Sequence, residues 1–340
     1  MCIRDSLYLG YINRGNNGNA NDNKEVIARI LRLRQQKARL FGYRNFAEFQ
    51  LADKMAETPE KAYGLLMDIW KAALPKAKEE AAELQQLIRA EGKDFQLEAW
   101  DWWYYTEKLR QQKYALDENE LKPYFSLENV RKGAFDVAGK LFGVYFRPVE
   151  GVDVYHPEVE TFEVLDSDSS HLGLYYVDYF PRATKRAGAW MNNIVEAYSV
   201  DGENIRPMIV NVCNFTRPSG DVPALLNIDE TRTLFHEFGH ALHGFLTRVA
   251  LPSVGGTNVA RDFVELPSQI MEHWAVEPEV MKSYARHYQT GEPIPDELIE
   301  KMQATATFNT GFMTTELVAA ALLLSLIHIS EPTRRSYISY

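Results

Sequence analysis

The stretch FHEFGHALHGF (235–245) places three histidines and a glutamate within eight positions, 236–243, of an otherwise apolar or small-residue segment. On a helix, His236 and His240 stand four residues apart, so both imidazoles leave one face and can share a tetrahedral zinc ion. Glu237 is offset by about 100° and reaches a metal-bound water rather than the metal. Zinc lowers the pKa of such a water from about 15.7 to about 7, so hydroxide is available near neutral pH. Glu237 would take the proton, the metal would hold the oxyanion, and Glu237 would return the proton to a leaving amine. The alternative for the same residues is a buried helix whose histidines are satisfied core groups.

A third protein ligand is needed to leave one position open for water. The long pattern HExxHxxGxxH is excluded, because positions 243 and 246 hold His243 and Leu246. The acids that follow are Asp262, Glu265 and Glu272, in RDFVELPSQIMEHW. Asp262 with Glu265 fits a capping box, which is a purely structural use of both. In the functional reading Asp262 caps the helix, Glu265 turns to the zinc, and Glu272, seven residues on, orients a ligating histidine through its ring N–H. Spacing alone puts Glu265 only a little ahead.

These groups must be positioned by regular elements. Residues 21–92 read as helices. NDNKEVIARILRLRQQKARLFGY starts with capping Asn and Asp, and a second helix has Thr58 as N-cap, Pro59 at its first position and Gly92 as a stop. Pro75 inside that second helix predicts a kink or a break. Residues 97–116 and 126–142 read as further helices. After Gly143 the pattern changes: VYFRPV, ETFEVLD, HLGLYYVDYF and RPMIVNVCNF read as strands. Helix returns at 229–249, with Asp229 as a cap, and again from about Asp262. Tyr176, Asp178 and Arg182 fall on a strand and turn near the cleft, in a structural role. Gly255 and Gly256, in the GGTN loop before the third-ligand helix, together with His243, are candidates for bordering a substrate.

The chain has 340 residues, 46% hydrophobic and 25% charged, which suits an ordinary globular protein. A net charge of −10 argues against a nucleic-acid partner, and two cysteines supply no disulfide framework. The longest apolar run, VAAALLLSLI (318–327), is about half of what a bilayer crossing needs, so no membrane partner is expected. Six Trp, 18 Tyr and 17 Phe fit large packed helices, or else a cleft lined for peptide side chains. MCIRDS (1–6) and the tail 324–340 resemble translated sequencing-adapter sequence, so the native segment is expected to be a fragment over 7–323. Its parts are a helical region, 7–142, and a zinc region, 143–323.

TRTLFHEFGHALHG, GGTNVARDFVELPSQIMEHW, LGLYYVDYFPRATKRAGAW and RPMIVNVCNFTRPSGDVPALL together resemble the thimet oligopeptidase family of zinc metallopeptidases, most of all its bacterial peptidyl-dipeptidase and oligopeptidase A branch. The resemblance spans about 8–323. It implies a mainly α fold with a small β-sheet beside the HExxH helix and a deep channel admitting short unfolded peptides. It implies one Zn2+ per chain held by His236, His240 and Glu265, with Glu237 as general base. It also implies a downstream loop rich in Gly, His and Tyr that this sequence does not contain, so zinc binding without turnover is one expectation for these residues. The competing readings are a non-catalytic zinc-stabilised helical protein and a metal-free peptide-binding scaffold. A cytoplasmic location is expected, with the periplasm as the alternative.

Overall fold

The computed structural model describes residues 3–115 and 117–329, with the backbone alone for 324–329. The chain folds as two compact units, one of residues 1–115 with 303–340 and one of 116–302. The expected division at 142/143 follows the change from helix to strand. The compact unit starts earlier, since the helix before Gly143 packs on the elements that follow it.

The first unit is helical: α1 (Ile3–Ile12), α2 (Lys24–Leu40), α3 (Phe46–Leu51), α4 (Pro59–Ala90) and α5 (Trp102–Tyr114), with the chain's last helix, Thr310–Ile329. Thr58 caps α4 as expected, accepting from the Lys61 N–H. Pro75 does not break α4, which runs through it for 32 residues. The last helix is likewise continuous through LLLSLIHI to Ile329. It packs along α4, and the buried Glu80 carboxylate accepts from the Gly311 and Phe312 N–H groups at 3.1 and 2.7 Å. These donors have no partner within their own helix, so Glu80 acts as a cap from a neighbouring helix. Of the two terminal segments read as non-native, residues 3–6 open α1 and 324–329 close the last helix. The remainder lie outside the described residues.

The second unit is built around a five-stranded mixed sheet. Its helices and strands in chain order are α6 (Glu118–Leu121), α7 (Leu127–Phe142), β1 (Tyr145–Pro148), β2 (Glu160–Leu165), β3 (His171–Asp178), β4 (Trp190–Val195), β5 (Tyr198–Val200), β6 (Glu203–Ile205), β7 (Met208–Val212), α8 (Ile228–Phe245), α9 (Glu265–Val276), α10 (Pro278–Tyr284) and α11 (Asp296–Thr305). The sheet order is β1-β2-β3-β7-β4, with only β3 and β7 parallel, and β5-β6 form a separate hairpin. The fold is therefore mainly helical with a small sheet beside the HExxH helix, as expected. β4 was not legible: WMNNIV is an edge strand with two adjacent asparagines in the middle.

One face of the sheet carries α8. Phe238 and Phe245 of α8 meet Tyr175 of β3, and Phe135 of α7 and Phe146 of β1 complete the aromatic cluster. At the end of β3, Asp178 is 1% exposed and accepts from Tyr155, Arg182 and Lys185 at 2.8–3.0 Å. Burial pushes its carboxyl up, but these donors outweigh that and hold it below the ordinary carboxylate range. Asp178 and Arg182 are thus structural, as read. No helix among the described residues is long and apolar enough to cross a membrane.

Candidate metal centre

α8 starts with a capping box. The Asn227 side chain accepts from the Glu230 N–H, and the Glu230 carboxylate accepts from the Asn227 N–H. Asn227, not Asp229, is therefore the cap, because its extended backbone lets the side chain turn back over the first turn. From that anchored start, two turns carry His236 and His240 to the side of α8 facing Glu265 of α9, with Glu237 about 100° round the helix from His236.

α9 begins at Glu265 itself, with Val264 in the N-cap position and no side-chain cap. Glu265 lies in the first turn with its carboxylate directed at α8. Glu265 Oε2 lies 3.2 Å from His236 Nε2 and 3.1 Å from His240 Nε2. One potential ligand atom from each of the three residues falls within a 4.8 Å span. Ligand atoms about 2.1 Å from a tetrahedral zinc lie about 3.4 Å apart. The donor set, two imidazoles and a carboxylate, and its spacing therefore fit zinc with little movement.

Supporting groups orient these donors. His236 Nδ1 lies 2.6 Å from Glu272 Oε1. With the ring proton on that nitrogen, Nε2 presents its lone pair towards Glu265 and His240. Glu272 thus meets the His236 ring at the nitrogen opposite the one that faces Glu265. Ser268, fully buried, donates to both the backbone oxygen and Oε2 of Glu265, at 2.9 and 3.0 Å. Sequence reasoning missed Ser268. Its only signal was a serine three residues after an acid at a helix start. It also missed Gly239, where a Cβ would meet Ser268 Cα at 2.6 Å and Pro267 O at 2.8 Å. Only a glycine lets α9 come near enough to deliver Glu265.

Burial lowers the His240 pKa, assisted by His236, so its imidazole is neutral and ready to ligate at neutral pH. Burial also raises the Glu237 carboxyl to about 7; His236 opposes the shift and Glu265 adds to it. A cavity of about 430 Å³ lined by Asp229, Arg232, Thr233, His236, Glu237 and Glu272 gives access to this side of the site. His243, Gly255 and Gly256 are brought together at another cavity, of about 460 Å³, farther along α8. Burial lowers the His243 pKa as well.

Comparison with known proteins agrees with this geometry. The family model for peptidase family M3 matches residues 2–336. Dipeptidyl carboxypeptidase of Escherichia coli is 44% identical over 321 residues, 94% of this chain and 47% of that protein. Oligopeptidase A of Escherichia coli is 40% identical over 314 residues, 91% of this chain and 46% of its own length. Thimet-like oligopeptidase of Dictyostelium discoideum is 31% identical over 325 residues, covering 92% and 48%. The chain thus spans about half the length of the curated relatives it matches. With HExxH on α8 and a glutamate of α9 meeting both histidines, and with nearly its whole length matched, the chain belongs to peptidase family M3.

Proposed function

We propose that His236, His240 and Glu265 hold one Zn2+ and that the site hydrolyses peptide bonds in short unfolded peptides, as a peptidyl-dipeptidase or an oligoendopeptidase. The observation that carries this reading is the single Glu265 oxygen lying 3.1–3.2 Å from both histidine nitrogens, beside a buried carboxylate that is not a ligand. The names of the relatives, a dipeptidyl carboxypeptidase and oligopeptidases, support the same class of substrate.

Zinc, when bound, supplies Lewis acidity that acidifies water and polarises a carbonyl. Glu237 supplies the proton chemistry. Buried beside the two histidines and not itself a ligand, it is placed to accept a proton from water and return one to the departing amine. Glu272 holds the His236 ring by Nδ1, and Ser268 holds the Glu265 carboxylate, so neither ligand must be ordered when the metal arrives.

The test is zinc per chain on folded protein, with Glu265→Ala beside the parent, followed by cleavage of an internally quenched peptide. We expect one zinc in the parent and clearly less in the variant. Glu237→Gln should keep the zinc and lose about 10²–10⁴-fold in cleavage rate. Parent protein that folds without binding zinc would refute the metal site. Equal cleavage by parent and Glu237→Gln would leave the zinc as a structural ion. Mass spectrometry of the products distinguishes dipeptide release from internal cleavage.

A further inference from the structure

The second cavity has a chemistry unlike that of the metal centre. Its walls come from Leu242, His243 and Leu246 of α8, Leu266 and Ile270 of α9, and Val259 of the intervening loop. No Asp, Glu, Lys or Arg is among its lining residues. Leu266 and Ile270 are 47% and 48% exposed, so large apolar side chains rim an open cavity and stay wet until something covers them.

The cavity shares backbone with the metal centre on two sides. Gly239, inside the HExxH turn, contributes to its wall. Leu266, the residue after Glu265, lines the cavity while Glu265 faces the histidines. Along α8 the distance from His240 to Leu246 is about 9 Å, the scale of one extended residue and its side chain. The third wall is the loop through Gly255 and Gly256, pinned where the Gly256 N–H donates to Thr247 Oγ1 at 2.8 Å. Gly256 adopts φ +54°, a conformation suited to glycine.

We propose that this cavity is a specificity pocket that receives an apolar side chain, Leu- or Phe-sized, of the peptide residue adjoining the bond held at the metal centre. The proposal rests on the zinc peptidase reading. Its volume lies within the range of small-ligand sites, and its walls would reward burial of an apolar side chain. A charged side chain would lose its hydration there with no opposite charge to meet it.

The probe is a set of peptide hydroxamates, whose hydroxamate binds zinc, differing only in the adjoining residue: Phe, Leu, Ala or Asp. They are titrated calorimetrically into zinc-loaded protein, with zinc content measured on the same samples. Phe and Leu should bind about 10–100-fold tighter than Ala, and Asp weaker than Ala. Ile270→Trp fills the cavity from its exposed rim. It should bring Phe and Ala to within about threefold of each other, with the zinc content of the parent. Ile270→Ala, which widens the pocket, should instead favour Phe over Leu more than the parent does. Equal affinities across the series in zinc-loaded parent would overturn the pocket and leave the metal centre standing. A folded parent that holds no zinc would overturn the metal reading and this inference with it.

Discussion

Gly239→Ala should push α9 away from α8. The new Cβ would stand 2.6 Å from Ser268 Cα, 2.8 Å from Pro267 O and 3.1 Å from Met271 Cγ. Carbon atoms settle at about 3.5–4.0 Å, so the start of α9 must retreat by about 1 Å, and two of the three obstacles are backbone that cannot rotate away. Overpacking of this kind costs about 1–3 kcal/mol, against about 1 kcal/mol gained in helix propensity, so net stability falls by up to about 2 kcal/mol. The larger effect is on the metal. Glu265 lies three residues before Ser268, and zinc ligands must sit within about 0.2 Å of their proper distances. We expect zinc affinity to fall by at least the roughly 10–100-fold that follows loss of a ligand-orienting partner. Competition with a chromophoric chelator measures the affinity, and thermal unfolding measures the stability. Gly64→Ala is the control: Gly64 is also inside a helix, α4, but a Cβ there meets nothing within 4 Å. That variant should gain about 0.5–1 kcal/mol. If Gly239→Ala binds zinc as the parent does and is stabilised like Gly64→Ala, the close approach of α8 and α9 is not what builds the site.

Three more outcomes are expected. Glu272→Ala should weaken zinc about 10–100-fold by freeing the His236 ring, whereas Glu272→Gln, which can still accept from Nδ1–H, should recover part of the loss in chelator competition. Asp178→Ala should cost about 3–5 kcal/mol in denaturant unfolding, because it leaves the buried Lys185 ammonium, whose side chain is 3% exposed, with backbone carbonyl acceptors but no counter-charge. The Asp178 carboxyl lies below its ordinary value in the folded state, so its contribution is present above the unfolded pKa and lost as pH falls through the folded one. Glu237 has the opposite sign. Its folded value of about 7 exceeds the ordinary 4.5, so the metal-free native state keeps a proton that the unfolded chain releases, and stability declines as pH rises between those values. Glu237→Gln should therefore unfold at a higher temperature than metal-free parent at pH 8, with that advantage gone at pH 4.5; an advantage that does not change with pH would show that the burial penalty is absent.

The pairing of His236 with His240 was readable because they lie on one helix, where period alone fixes which residues share a face. The same holds for the Thr58 cap, for Pro59 at the start of α4, and for the strands with strong β-branched and aromatic content. Reading failed where a neighbouring element decides the local outcome. Pro75 leaves α4 unbroken, and that helix is held along its length by the last helix of the chain. Asn227 rather than Asp229 caps α8 because backbone angles two residues upstream place its side chain. β4 stayed hidden because an edge strand has only one neighbour and can tolerate polar residues.

By itself, the sequence determined the donor types, their period on α8, the mainly helical class and, through four extended motifs, the resemblance to a peptidase family. It left Asp262, Glu265 and Glu272 close rivals for the third ligand, since spacing along a chain does not say which acid a second helix will turn inward. In the tertiary structure it is the Glu265 carboxylate that faces both histidines. Gly239 lets α9 rest against α8, Ser268 ties the Glu265 carboxylate, and Glu272 is left at the far nitrogen of His236. The tertiary structure also gathered His243, Gly255 and Gly256 around one apolar cavity, which no periodicity could reveal. Helical period is a short-range property of the backbone, whereas the meeting of Glu265 with the two histidines depends on the distance between two helices, set where Gly239 leaves room for α9.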